Sequence, residues 1–343
     1  MIKLNNDYSH ICDSLNKSKE KIIELEEQDD KIAVAVCKNL YNYIARAVVA
    51  SDDIYEFSLE ENKFLGYIGF KGSEKALEAL SDHKKLVVNF LINSGYEFSR
   101  RKFIDNESIL RKINISKKEE LEIIRDYLKP TNKEFENLFD KFYENNRFFD
   151  ISDSLSTTLS ACGAAIYNPL LDESLIFLAK SNDPILDMAT VMHELGHAYD
   201  WQTYRKDNSS ISTSIYNSIS SYSEVNSTYQ QYRFYEYMLN NNIYKEATLE
   251  SVKANIDNYF QNFLAISCFQ KDNNYLIKDL LTDIRYSYGL MIGLSMLEDK
   301  NKYDSFQELR QIEFNKERLD DAGFSNHELS KVMIKKYNEY FGR

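Results

Sequence analysis

The sequence predicts a mainly α fold with a small β-element, on three observations. Glycine and proline are scarce, 10 and 3 in 343 residues, which leaves little material for tight turns and argues for long helices. Apolar residues recur at three-to-four spacing along most of the chain. Only one short stretch, Ser174-Leu175-Ile176-Phe177-Leu178-Ala179, reads first as a strand, with a buried helical turn as the alternative.

The elements follow in order. Ile22, Ile23 and Leu25 lead into Ile32, Val34, Ala35, Val36, Leu40, Tyr41 and Ile44, one helical face after another. Ala76 to Ile92 repeats the pattern and closes at Gly95, a natural helix stop. Leu121 to Leu128 ends before Pro130, and Phe135 to Phe142 follows an N-cap at Thr131 or Asn132. Small residues gather at 160–165, the strand-like run follows, and a helix begins at Asp183-Pro184, an N-cap with proline in the first turn. Serine-rich 206–221 reads as a loop or flap, and helices are expected over about 222–239, 243–271, 273–299 and 326–341.

Composition narrows the function. Apolar residues at 43% and charged residues at 28% are ordinary for a soluble protein, and the length suits two domains or one large one. The net charge of −12 argues against nucleic acid and anionic membrane as partners, since both want a basic face. No apolar run approaches the ~20 residues of a membrane span, and the first residues lack the apolar core of a signal peptide. Four cysteines are scattered without a disulfide or C-x-x-C pattern, so the cytoplasm is the expected compartment.

The chemistry centres on His193-Glu194-Leu195-Gly196-His197. Residues four apart share a helix face, so His193 and His197 can offer two imidazole nitrogens to one ion. Zinc suits that pair and leaves a position for water, from which Glu194 can take a proton. With five histidines in the whole chain, two in this register are a specific signal. The flanking Ile185, Leu186, Met188, Val191, Met192 and Leu195 make the helix a buried one.

A third protein ligand is needed. Glu224 is the leading candidate, 27 residues after His197, room for a turn and a returning helix. Glu236 is a weaker alternative, and Asp200 lies off the metal axis on the same helix. An oxyanion would also need donors, and Tyr286 and Tyr288 offer hydroxyls on one helix, although any of 25 tyrosines is more often packing than chemistry. The edge of the 174–179 strand could pair with an extended peptide, or the strand could be purely structural.

Taken together, His193-Glu194-Leu195-Gly196-His197-Ala198, Ser223-Glu224-Val225-Asn226-Ser227-Thr228 and Tyr286-Ser287-Tyr288-Gly289 resemble the oligoendopeptidase F branch of the thimet oligopeptidase (M3) metallopeptidases. Leu319-Asp320-Asp321-Ala322-Gly323-Phe324 and the last helix are similar to that branch's ending, so the likeness covers about residues 152–343. It implies a zincin-type catalytic region over 151–343 and a helical N-terminal region over 1–150 that forms a channel wall. The implied reaction is cleavage of short unfolded peptides, with His193, His197 and Glu224 holding Zn2+ and Glu194 as base. Tyr288 is the implied oxyanion donor and Tyr286 the second choice. The substrate backbone would be bound around Gly163, Ala164, Leu175 and Phe177. Two departures stand out: the N-terminal half is short for the family, and no histidine lies between His197 and His327, where the family carries one. Tyr275 could substitute for it. The departures motivate an alternative, a peptide-binding protein on an M3-like scaffold.

Overall fold

In the computed structural model the described residues are 3–48, 55–63, 83–94, 113–150, 163–207, 223–268, 277–309 and 316–342. Helices dominate them, and one three-stranded sheet is the β-element. The chain forms two compact units, 1–70 with 115–181 and 197–218, and 71–114 with 182–196 and 219–343. Phe148–Asp150 is a strand, and its backbone pairs with 176–178, so hydrogen bonds join the two regions the sequence suggested separating. Three residues are too few to show a period of two, which is why the strand escaped notice.

The first unit opens with two helices, α1 (Ser9–Glu27) and α2 (Lys31–Val48). Asp29 turns the chain between them with φ 56°, a left-handed conformation that aspartate tolerates, and Asp30 caps α2 by accepting the Ala33 amide at 3.1 Å. Their apolar faces (Ile11, Leu15 and Ile22 against Val34, Tyr41 and Ile44) share one core with Phe149, Ile166, Leu175 and Phe177 of the sheet. Two further helices, α3 (Lys117–Leu128) and α4 (Lys133–Glu144), start at Ser116 and Asn132, whose side chains accept the Glu119 and Glu134 amides.

The sheet runs β1 (Phe148–Asp150), β3 (Glu173–Leu178), β2 (Gly163–Asn168). β3 lies in the middle, parallel to β1 and antiparallel to β2, with Ala164 opposite Phe177 and Ile166 opposite Leu175. Leu175 and Phe177 are fully buried. Of the two readings of the 174–179 strand the structural one holds over Ile176–Leu178, where hydrogen bonds are made on both sides, and Leu175–Leu178 are buried. Among the described residues the outer strand on that side is β2, where Gly163 and Ala164 are half-buried.

The elements of the second unit are all helices among its described residues. It contains the helical stretch 83–93, the first half of α5 (Pro184–Asp207), and α6 (Val225–Asn240), α7 (Lys245–Cys268) and α8 (Ile277–Glu298). It ends with α9 (Lys300–Leu309), α10 (Lys316–Asp321) and α11 (Asn326–Phe341). Asp183 caps α5 as the sequence predicts, accepting the Ile185 and Leu186 amides at 2.9 and 3.1 Å. Phe90, Phe260, Phe263 and Tyr337 pack ring on ring with centroids 5.3–6.2 Å apart. Residues 206–221 and the Tyr275 segment belong largely or wholly outside the described residues.

Candidate metal centre

The centre is built on α5, and its helical period settles which side chains converge. Ile185, Met188, Val191, Met192 and Leu195 are buried, while His193 and His197 are half-buried one turn apart. Glu224, at the N-cap of α6, brings its carboxylate to them: one donor atom from each of His193, His197 and Glu224 lies within 4.8 Å of the others. Glu224 Oε2 is 3.3 Å from His193 Nε2. Glu194 is buried beside them at 5% exposure.

What lets α6 come so close is the absence of side chains. A Cβ on Gly196 would stand 2.6 Å from Ser227 Cα, so the glycine between the two histidines is where the α6 backbone passes. A Cβ on Gly289 of α8 would meet Glu224 Cβ at 2.8 Å and its carbonyl oxygen at 2.9 Å. Glu224 is therefore pressed from α8 and aimed at α5. Polar side chains complete the contact: Asn226 Nδ2 donates to the Gly196 carbonyl at 3.2 Å, and His193 Nδ1 lies 3.2 Å from Gln231 Oε1. Asn226, Ser227 and Thr228 are wholly buried.

The competing carboxylate is elsewhere. Glu236 accepts hydrogen bonds from Lys336 Nζ at 2.9 Å and from the Tyr340 hydroxyl at 2.5 Å, in an ion cluster in which the buried Lys336 also meets Glu298 and Glu339. Of the tyrosine pair, Tyr286 senses the centre. The Glu224 charge, then burial, then Tyr259 and Glu194, hold its hydroxyl protonated far above the usual tyrosine range. Tyr259, whose ring lies 6.0 Å from that of Tyr286, is raised mainly by burial, with Glu224 and Glu194 adding to it. Tyr288 is buried with its ring 4.0 Å from that of His83. His83 Nε2 meets Ser287 Oγ at 2.5 Å. That hydroxyl donates its one proton to the Ile284 carbonyl, so His83 is the donor to it.

Sequence reasoning passed over Gln231, Asn226 and His83. Gln231 was within reach, since it falls two turns after Glu224 on the same face of α6. His83 offered no signal, because nothing local ties residue 83 to a helix 204 residues later.

The donor set fits a divalent cation. Two imidazoles and a carboxylate suit zinc, and iron also takes such a set. Two donors each about 2.0–2.1 Å from a tetrahedral ion stand roughly 3.3–3.4 Å apart. The His193–Glu224 spacing of 3.3 Å matches that edge, and the other donor separations lie within 4.8 Å. Comparisons with protein-family models, with curated proteins and with solved structures found no match to the chain.

Proposed function

We propose that the protein is a zinc-dependent oligopeptidase of the oligoendopeptidase F type, cutting short unfolded peptides. The observation that carries this is the arrival of Glu224, from a second helix, beside the two histidines of the H-E-x-x-H run. A bound zinc ion would supply a Lewis acid that polarises the scissile carbonyl and lowers the pKa of water toward ~7. His193, His197 and Glu224 hold it. Glu194, next to His193 and itself buried, takes the proton of the attacking water and passes it to the leaving amine. Tyr288 or Tyr286 donates a hydrogen bond to the carbonyl oxygen as charge builds there, and of the two it is the Tyr286 hydroxyl that feels the Glu224 charge. The net charge of −12 favours neutral or cationic peptides, and the cytoplasm is the proposed compartment.

Metal analysis of the purified protein, together with a quenched fluorogenic peptide panel with and without chelator, tests this. Zinc at one per chain and chelator-sensitive cleavage are expected, and Glu194→Gln should keep the metal while cleavage falls by about 10²–10⁴-fold. Full activity in that variant removes Glu194 as the base. A second reading, a peptide-binding protein with little turnover, is motivated by the lack of any histidine between His197 and His327. Calorimetric peptide binding by the zinc-loaded protein without cleavage would favour it.

A further inference from the structure

We propose that Gln231 sets the tautomer of His193 and so selects the nitrogen through which that histidine binds metal; the inference rests on the metal centre proposed above. A neutral imidazole carries its proton on one nitrogen only, and the other is the ligand. The two nitrogens of His193 face different groups. Nδ1 is 3.2 Å from Gln231 Oε1, and Nε2 is 3.3 Å from Glu224 Oε2. An amide oxygen can only accept, so the proton belongs on Nδ1, and the Nε2 lone pair is left facing Glu224.

That arrangement sets an imidazole lone pair against a carboxylate, two acceptors that need a cation between them. Turning the Gln231 amide would place its N–H group on Nδ1 and move the proton to Nε2, where it would block the metal. A cation and the observed amide orientation therefore stabilise one another. The placement is well enclosed: Gln231 is 4% exposed, so water does not compete for Nδ1, and it sits two turns beyond Glu224 on one face of α6. A single helix thus supplies a ligand to one side of the site and orients a second ligand from its other side. Because Gln231 is an amide, it orients His193 without adding negative charge, which stays on Glu224 and Glu194. Gln231 is a positioning residue and touches no reacting atom.

Nitrogen-15 spectroscopy of the zinc-loaded wild-type protein should show His193 protonated at Nδ1 and metal-bound at Nε2. A proton on Nε2, with zinc held through Nδ1, overturns the proposal. In a chelator-competition titration, Gln231→Leu should weaken zinc binding about 10- to 100-fold, the usual effect of removing such an outer partner, while Gln231→Glu, which keeps an acceptor, should restore it. Wild-type zinc affinity in Gln231→Leu would sink the proposal and leave the metal centre standing. Failure of the wild-type protein to take up zinc would instead sink the centre, and this inference with it. Should Gln231→Leu not fold, the wild-type spectrum and the Gln231→Glu titration decide the matter.

Discussion

Two regions of the second unit are packed in different ways, the contact of α8 with α6 and an aromatic cluster. Toward α6, helix α8 offers Gly289 and Gly293, where added Cβ atoms would meet Glu224 at 2.8 Å and the Tyr229 amide nitrogen at 3.1 Å. Away from that contact the unit packs Phe90, Phe260, Phe263 and Tyr337 in a cluster of tilted and edge-on rings. The aromatic region gains its free energy from apolar area removed from water. The glycine contact fixes a distance, that between the Glu224 carboxylate and α5. One region holds the protein together, and the other holds three donors in place.

The contrast can be broken by substitution. Phe260→Ala should cost about 3–5 kcal/mol in chemical denaturation, since the ring is fully buried among others. Zinc affinity of the fraction still folded should be unchanged. A large loss of affinity there would mean that the two regions are not separable.

Gly289→Ala should show the reverse. In an exposed helix this change would stabilise by about 0.5–1 kcal/mol. Here the new methyl meets backbone and Cβ of Glu224, which cannot swing aside, and overpacking of this kind costs about 1–3 kcal/mol. A modest net destabilisation is expected, with clearly weakened zinc binding by competition titration. A gain in stability with full affinity would show that α8 does not press on Glu224.

The smallest effect separates both regions from the ion cluster around Lys336. Burial pushes the Glu298 carboxyl up, but hydrogen bonds and charges from Lys335 and Lys336 outweigh it and hold the group below its ordinary 4.5. Its contribution to stability is therefore present above that value and is lost as the pH falls through the lower folded value. The group is partly exposed, so under about 1 kcal/mol is at stake. Denaturation midpoints measured down to acid pH should fall less steeply for Glu298→Gln than for wild type; parallel curves would remove the pair from the account.

How legible all this is from sequence depends on whether the cause is local. Helix α5 was readable because its cap, its apolar period and its two histidines are all within 24 residues. The starts and ends of α6, α7, α8 and α11 fall within a few residues of those expected from the same periodicity. The choice of Glu224 over Glu236 rested on chain length and neighbours, whereas the structural reason is Gly196 and Gly289, whose significance appears only once α6 passes between them. The strand 173–178 was found, but not its central place, because pairing with 148–150 is set by residues 28 apart. The same holds for the division into units and for His83, both of which depend on contacts distant in sequence.

Glu224 also occupies the N-cap of α6 without making the side-chain hydrogen bond that a serine, threonine or aspartate would make there. Its carboxylate reaches past its own helix toward the histidines. The aligned peptide dipoles of α6 place their positive end beneath it, and such a terminus favours an anion by about 0.3–1 kcal/mol. The helix thus gives up a conventional beginning, and its backbone sets partial positive charge beneath the carboxylate at the spot where a cation would be received.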